Sequence, residues 1–336
     1  MQSHIRDPSN VDKPSGDGGA ANGPEADTNE SKTAVVAALC GNAALSVLKG
    51  LSAAATGSAA MLAETLHSIA DTGNEALLLL GMRAARRPPD ERHPFGHGKN
   101  VYFWAFVVSV MLFTVGGAFS VWEGVRKLLH GGEHAMSLWA YAILTGAFVF
   151  EAASLAVAVR SLRRVQAGRS LAEFWRQTRD PTLLTVLLED TAALAAVVVA
   201  AGGLALAQAT GSPAWDAIAS LVIGVILLAV AVVLALENHS LLIGERAQED
   251  VERMIRDALA RDAAVVSIDR IRTMHVGPHE IIAMLTVRLR DDLTATDVVG
   301  AIARLHALIE TALARDVRPG FVAIEPVGLG RPRQAA

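Results

Sequence analysis

The sequence predicts an α-helical membrane protein in which six transmembrane helices precede a small α+β domain. Three observations carry that expectation. Hydrophobic residues fill 52% of the 336 positions and charged residues only 19%, with a mean hydropathy of +0.36, a balance too apolar for a water-soluble chain of this length. Six apolar segments, at about 33–53, 58–82, 101–122, 137–159, 182–207 and 215–237, each approach the ~20 residues that a helix needs to cross the hydrocarbon core. After about residue 245 the pattern gives way to mixed helical and alternating periodicity, as in a folded polar domain.

Residues 1–32 are rich in Gly, Asp, Asn, Pro and Ser and hold no apolar run to order them, so a disordered tail is expected. A charged region leading directly into a short apolar core is missing there, so no signal peptide is expected. The first and second segments are joined around Thr56-Gly57, and the fifth and sixth by Thr210-Gly-Ser-Pro213; both pairs read as tight hairpins. Orientation follows from Lys and Arg. Arg83, Arg86, Arg87, Arg92 and Lys99 follow the second segment, and Arg160, Arg163, Arg164, Arg169, Arg176 and Arg179 follow the fourth. Against these eleven the other side offers only Arg126 and Lys127, which puts both termini in the cytoplasm or its topological equivalent. The expected compartment is the bacterial inner membrane. Arg160 to Arg179 reads either as an interfacial helix, with Leu162, Val165, Leu171 and Phe174 toward the headgroups, or as a solvated loop.

The domain at 246–328, before a short tail at 329–336, reads as αββαβ. Val251, Met254, Ile255 and Leu259 have helical spacing, Val265 to Val276 alternates, and Gly277-Pro278 turns the chain into a second strand, Ile281 to Leu289. Thr294 or Thr296 caps a helix carrying Val298, Ile302, Leu305, Ile309 and Leu313, and Phe321 to Val327 closes the series. That order suggests an open-faced sandwich with one face of the sheet covered.

Several function classes fall away. The net charge of −4 and the absence of a basic run interleaved with aromatics do not suggest a nucleic-acid partner. The single cysteine, Cys40, permits no intrachain disulfide. An intramembrane metallohydrolase commonly carries H-E-x-x-H, which is absent, so an enzyme is not expected.

What remains is the stretch from Gly57 to Asn74. At about 100° per residue, Glu64, His67, Ser68 and Asp71 share an arc of about 100° on one helix face. Ionisable groups inside a membrane helix are costly and usually line a pathway or cavity; the plainer reading is interhelical hydrogen bonding. A second acidic pair, Glu189-Asp190, sits in another apolar segment, and together they point to a bound cation. Imidazole binds zinc only when deprotonated, so metal and proton compete for His67, imidazole titrating at about 6.5 when unperturbed.

With these residues placed, the chain from Thr33 to about Val327 resembles a cation diffusion facilitator, a family of metal/proton antiporters. The resemblance rests on Asn42 and Lys49, the His67-x-x-x-Asp71 pair, His93-Pro-Phe-Gly-His97-Gly-Lys99, Asp190, and Asp216 opening the sixth segment. A Leu-Glu-Asp-Thr stretch at Leu188 to Thr191 matches one subgroup. The resemblance implies a ferredoxin-like cytoplasmic domain, a homodimer, and a tetrahedral site shared by the second and fifth helices, onto which His67, Asp71 and Asp190 map. The fourth position is Val186, which cannot bind metal; Glu189, Glu64, Asn74 or a water is left to replace it, although Glu189 points about 100° away from Asp190 on an ideal helix. Asp90, His93 and His97 match a second site at the membrane's cytoplasmic edge, or else His93 and His97 merely cap the third helix while Gly96 and Gly98 make the turn. Where some members hold two metals in the cytoplasmic domain, this chain has Leu285, Ala323 and Glu325; His275 and His279, flanking Gly277-Pro278, could hold a cation together but read first as solvent-exposed turn residues.

The function implied is export of a divalent metal across the bilayer in exchange for protons. The resemblance also implies a rocking of the first, second, fourth and fifth helices against the third and sixth. Zinc ranks first on the strength of His67. Losing a nitrogen ligand shifts the site toward oxygen and brings in Co(II), Fe(II) and Mn(II). A membrane-bound metal sensor is the alternative.

Overall fold

A computed structural model describes residues 24–56, 59–130, 138–166, 180–313 and 317–327; the side chains at 24–28, 30, 49, 52, 53, 55, 56, 59–68, 138–141, 143, 165 and 166 lie outside the described set. The elements are α1 (Pro24–Thr56), α2 (Ala59–Ala85), α3 (Asn100–His130), α4 (Leu138–Gln166), α5 (Pro181–Thr210), α6 (Ala214–Ile243), α7 (Glu249–Leu259), β1 (Val265–Gly277), β2 (Glu280–Leu289), α8 (Ala295–Leu313) and β3 (Arg318–Val327). Among the described residues, five helices are long and apolar enough to cross a membrane, with spans at Ser31–Leu48 in α1, Asn100–His130, Leu144–Arg164 in α4, Pro181–Thr210 and Ala214–Ile243. The expected second span corresponds to α2, a helix of 27 residues.

The helix α1 reaches back to Pro24, into the stretch expected as tail; residues 1–23 lie outside the described set. Most of the stretch weighed as an interfacial helix, 167–179, lies outside it as well.

Local chemistry explains the helix ends. Asp180 caps α5 by accepting from the Thr182 N–H at 2.9 Å, with Pro181 in the first turn, where a missing N–H costs nothing. The helix stops at Gly211, whose φ of +67° reverses the chain into α6. In α8, Thr294 is the cap: its Oγ1 accepts from the Asp297 N–H at 3.3 Å while the Asp297 carboxylate accepts from the Thr294 N–H at 3.0 Å, a reciprocal box.

In the membrane part α1 packs along α2 and α4, α4 along α5, and α6 along α3 and α5. Backbones approach closely where side chains vanish. A Cβ on Gly224 of α6 would lie 2.8 Å from the Val121 nitrogen and 3.1 Å from the Gly117 oxygen of α3. Residues Leu112–Ala118 of α3 form a π-helical turn. The outward faces are apolar: Leu51, Phe119, Trp122, Leu129, Val225 and Leu236 are all more than half exposed, as lipid-facing surfaces require.

The C-terminal sheet has the order β1-β2-β3, antiparallel then parallel. Ile281, Ala283, Leu285, Val287 and Leu289 alternate onto one face of β2 and meet Val251, Ile255 and Leu259 of α7 and Leu305, Ile309 and Leu313 of α8. Met284, on the other face, is half exposed.

Among the described residues, close contacts join this domain to the membrane part. Backbone meets backbone where Gly98 packs on Val276 and Gly277, leaving no room for a side chain. Gly244, at φ +121°, sits under Met274. The rings of Phe95 and Phe321 meet edge to face, 5.6 Å between centroids. The His275 N–H donates to the Glu245 carbonyl at 2.8 Å, and within the membrane part the Lys99 ammonium donates to the Leu242 carbonyl at 3.2 Å.

His275 corrects an expectation. Expected as an exposed turn residue, it is 1% exposed, because the end of β1 is pressed against the chain leaving α6. His279 is only half-buried, and its Nε2 is enclosed.

Candidate metal centre

The interior of the helix bundle is polar at one level. On α2, Asp71 is followed one turn later by Asn74 and Glu75, both buried; on α5, Glu189 and Asp190 are buried side by side. The Asn74 amide donates to Glu189 Oε1 at 2.6 Å, joining α2 to α5. The Asn42 amide of α1 donates to Glu75 Oε1 at 2.7 Å, and the Ser154 hydroxyl of α4 donates to Asp190 Oδ2 at 2.7 Å. Four helices thus contribute to one polar cluster. Asp71 interacts electrostatically with Glu75, Glu189 and Asp190. A small cavity opens beside it, lined by Ala70, Asp71, Asn74, Met111, Leu112, Val115 and Gly116, so the π-helical turn of α3 forms part of the wall. Such turns are frequent at functional sites.

The side chains of Glu64 and His67 lie outside the described residues. Asp71 and Asp190 come to the same cluster. Val186 is 1% exposed and packs among Val35, Ala38, Leu78, Val101, Ala105 and Ala158, so its position is filled by apolar contact. Glu189 is turned to Asn74. Sequence reading passed over Glu75, which stands four residues after Asp71 and so lies about 40° from it on the same face. An ionisable residue in an apolar run was the signal that would have found it.

The loop residues do converge. Asp90 Oδ1 accepts from the Arg92 and His93 N–H groups at 2.9 and 2.6 Å, which folds the loop back on itself. His93 Nδ1 lies 3.2 Å from Asp90 Oδ1, His97 Nε2 lies 3.0 Å from Asp90 Oδ2, and the two rings are 4.3 Å apart. Gly96, at φ +81°, makes the turn that brings His97 round. Ligand atoms of the three residues all lie within 4.8 Å of one another; among the described residues theirs is the one such group of three or more His, Cys, Asp or Glu. The His97 ring and the His93 N–H hold the Asp90 carboxyl below its ordinary 3.8, at about 2, so it remains an anion at any physiological pH. In the C-terminal domain Leu285 lies in the core, and Glu325 is 3.3 Å from the Thr286 hydroxyl.

Apolar-faced helices around a shared carboxylate and amide cluster, followed by an α+β domain, define a polytopic membrane protein with an ionisable centre. Residues 35–243 match the model of the cation efflux transmembrane domain, and the chain belongs to that family, the cation diffusion facilitators, which are transporters and not enzymes. It is 36% identical over 249 residues to the proton-coupled zinc antiporter SLC30A9, mitochondrial, of Xenopus laevis, covering 74% of this chain and 44% of that protein. It is 33% identical over 220 residues to metal tolerance protein C4 of Arabidopsis thaliana, covering 65% and 48%. It is 26% identical over 299 residues to the magnetosome protein MamM of Magnetospirillum gryphiswaldense, covering 82% and 87%. The chain therefore spans under half the length of the first two.

Proposed function

We propose that the chain is a secondary transporter that moves a divalent transition-metal cation, zinc first, across the membrane in exchange for protons by alternating access. The observation that carries this reading is the meeting of Asp71 on α2 with Asp190 on α5 inside the bundle, within the part of the chain that matches the cation efflux domain. The similarity to a protein named as a proton-coupled zinc antiporter supports both the ion and the exchange.

In this reading His67, Asp71 and Asp190 hold the cargo, with Glu189 and Glu64 near them. Imidazole and carboxylate suit zinc, and each must lose its proton to bind. Release to an acidic side and return of the protonated site give the exchange. Asp90, His93 and His97 hold a second metal at the loop. The transmembrane domain is taken as 33–240 and the ferredoxin-like domain as 246–328, in a homodimer with both termini on the Arg-rich side of a bacterial inner membrane.

The test is metal-driven proton flux in sealed proteoliposomes, comparing Zn(II), Co(II), Fe(II) and Mn(II), with Asp71→Ala and Asp190→Ala beside the intact protein. Saturable exchange lost in both variants is the expected result. Metal binding without passage of metal or proton sinks the transporter and leaves a membrane-bound sensor.

A further inference from the structure

One turn from Asp71, toward the end of α2 that carries the Arg-rich loop, three buried oxygens lack any hydrogen-bond partner: Asn74 Oδ1, Glu75 Oε2 and Glu189 Oε2. Their residues are 3%, 2% and 8% exposed. Each of these residues already has its other oxygen or its amide engaged, Glu75 by Asn42, and Asn74 and Glu189 by each other. A buried acceptor left without a donor is costly and calls for an explanation. Three acceptors together cannot satisfy one another, because none brings a proton as carboxylate or amide carbonyl. A cation held among them would supply the missing partner.

We infer that Glu75, Glu189 and the Asn74 carbonyl form a second, all-oxygen position for the divalent cargo, set between the central carboxylates and the loop triad. Four residues of helix separate Glu75 from Asp71, about 6 Å along the axis, so the two positions are neighbours and not one site. Glu75 and Glu189 lie within electrostatic reach of each other. The buried hydroxyl of Thr185, also without a partner, stands one turn earlier on α5, at the i−4 spacing that shares a face with Glu189. It marks polar ground on the side from which a cation leaving the loop would arrive. Oxygen-only ligation selects by charge and size more than by softness, so Mn(II) and Fe(II) compete with zinc here better than at His67. Glu189 thereby takes its role beside Glu75 and Asn74 rather than in place of the ligand missing at Val186.

This inference rests on the transport reading only in taking the divalent cargo as the ligand. The probe is Mn(II), counted by electron paramagnetic resonance on the full chain in lipid nanodiscs, with the loop triad silenced by Asp90→Ala and His93→Ala. Adding Asp71→Asn removes the central position. We expect about one Mn(II) to remain bound, and Glu75→Gln or Glu189→Gln to weaken that binding by about tenfold or more, as loss of a charged ligand should. Where one Gln variant does not elute as a single species, the other carries the test. With Asp71 intact, either Gln change should lower the stoichiometry by one. No residual Mn(II) in the Asp71→Asn background, or its retention in both Gln variants, overturns the second position; the two carboxyls then hold a shared proton. Proteoliposome exchange that persists alongside that result leaves the transporter standing. Absent exchange with residual Mn(II) binding sinks the transporter alone.

Discussion

The amide of Asn74 donates to Oε1 of Glu189 across 2.6 Å, and this bond ties α2 to α5 at the level of Asp190. Asn74→Ala removes the donor and leaves both oxygens of a buried carboxylate unmet, a loss of about 1.5–3 kcal/mol for a bond to a charged group. Metal exchange should fall by about tenfold or more, and thermal stability in detergent should drop. Unchanged exchange would mean that Glu189 is held in place without Asn74.

Val186→His places an imidazole four residues before Asp190. Because Val186 is packed among apolar neighbours, the larger polar ring should cost about 1–3 kcal/mol of stability. Where the variant still folds, initial rates of exchange should favour Zn(II) over Mn(II) more than the parent's do. An unaltered ratio would show that position 186 does not face the cargo.

At Gly224 a methyl group would meet backbone of α3 at 2.8 and 3.1 Å. Backbone cannot rotate aside, so Gly224→Ala should lower the melting temperature in detergent. Gly146→Ala and Gly202→Ala, where a Cβ meets nothing within 4 Å, should leave it unchanged or raised, since alanine favours the helix. Equal effects at all three would contradict the close crossing.

For the loop, Asp90→Asn should weaken Co(II) or Zn(II) binding there by about tenfold or more through loss of a charged ligand. The folded carboxyl titrates at about 2 against an ordinary 3.8. Its contribution to stability is thus complete above 3.8 and disappears as pH falls through 2. Between pH 4 and 8, any decline in loop binding on acidification therefore belongs to the imidazoles. A decline centred below pH 3 would reverse that assignment.

Asp262 accepts from Arg304 at 2.8 and 3.2 Å, joining α8 to the turn before β1, and the guanidinium holds its carboxyl below the ordinary range. A depressed value stabilises the fold above the unfolded pKa and loses that contribution as pH falls through the folded one. Arg304→Ala should therefore lower the unfolding temperature slightly at pH 7 and by progressively less as pH falls below the ordinary carboxylate range. A deficit of equal size at every pH would assign Arg304 a packing role.

Much of this arrangement is written in local pattern. Leu, Val and Ala runs mark the helices; alternation at Ile281 to Leu289 marks β2, and Thr294 with Asp297 marks the start of α8. Asp71 and Asp190 stood out because charge in an apolar run is rare. What failed were features made by distant contact. Gly277-Pro278 signals a turn, and turns usually face water, yet here the turn abuts Gly98 and buries His275. Glu75 lay on the face already read through Asp71, but its partner Asn42 is 33 residues away, and no spacing rule links them. The π-helical turn at Leu112–Ala118 has Gly116-Gly117 within it, which shows where the helix is permissive but not how it is wound.

The contacts between the C-terminal domain and the membrane part have a geometric consequence. Gly98 on Val276 and Phe95 on Phe321 couple the loop between α2 and α3 to the sheet, and Gly244 under Met274 couples the end of α6 to it. For the domain to turn against the helices, one contact must open. Phe95 and Phe321 are 49% and 44% exposed while Gly98 and Gly277 are buried, so the aromatic pair is the joint already open to water.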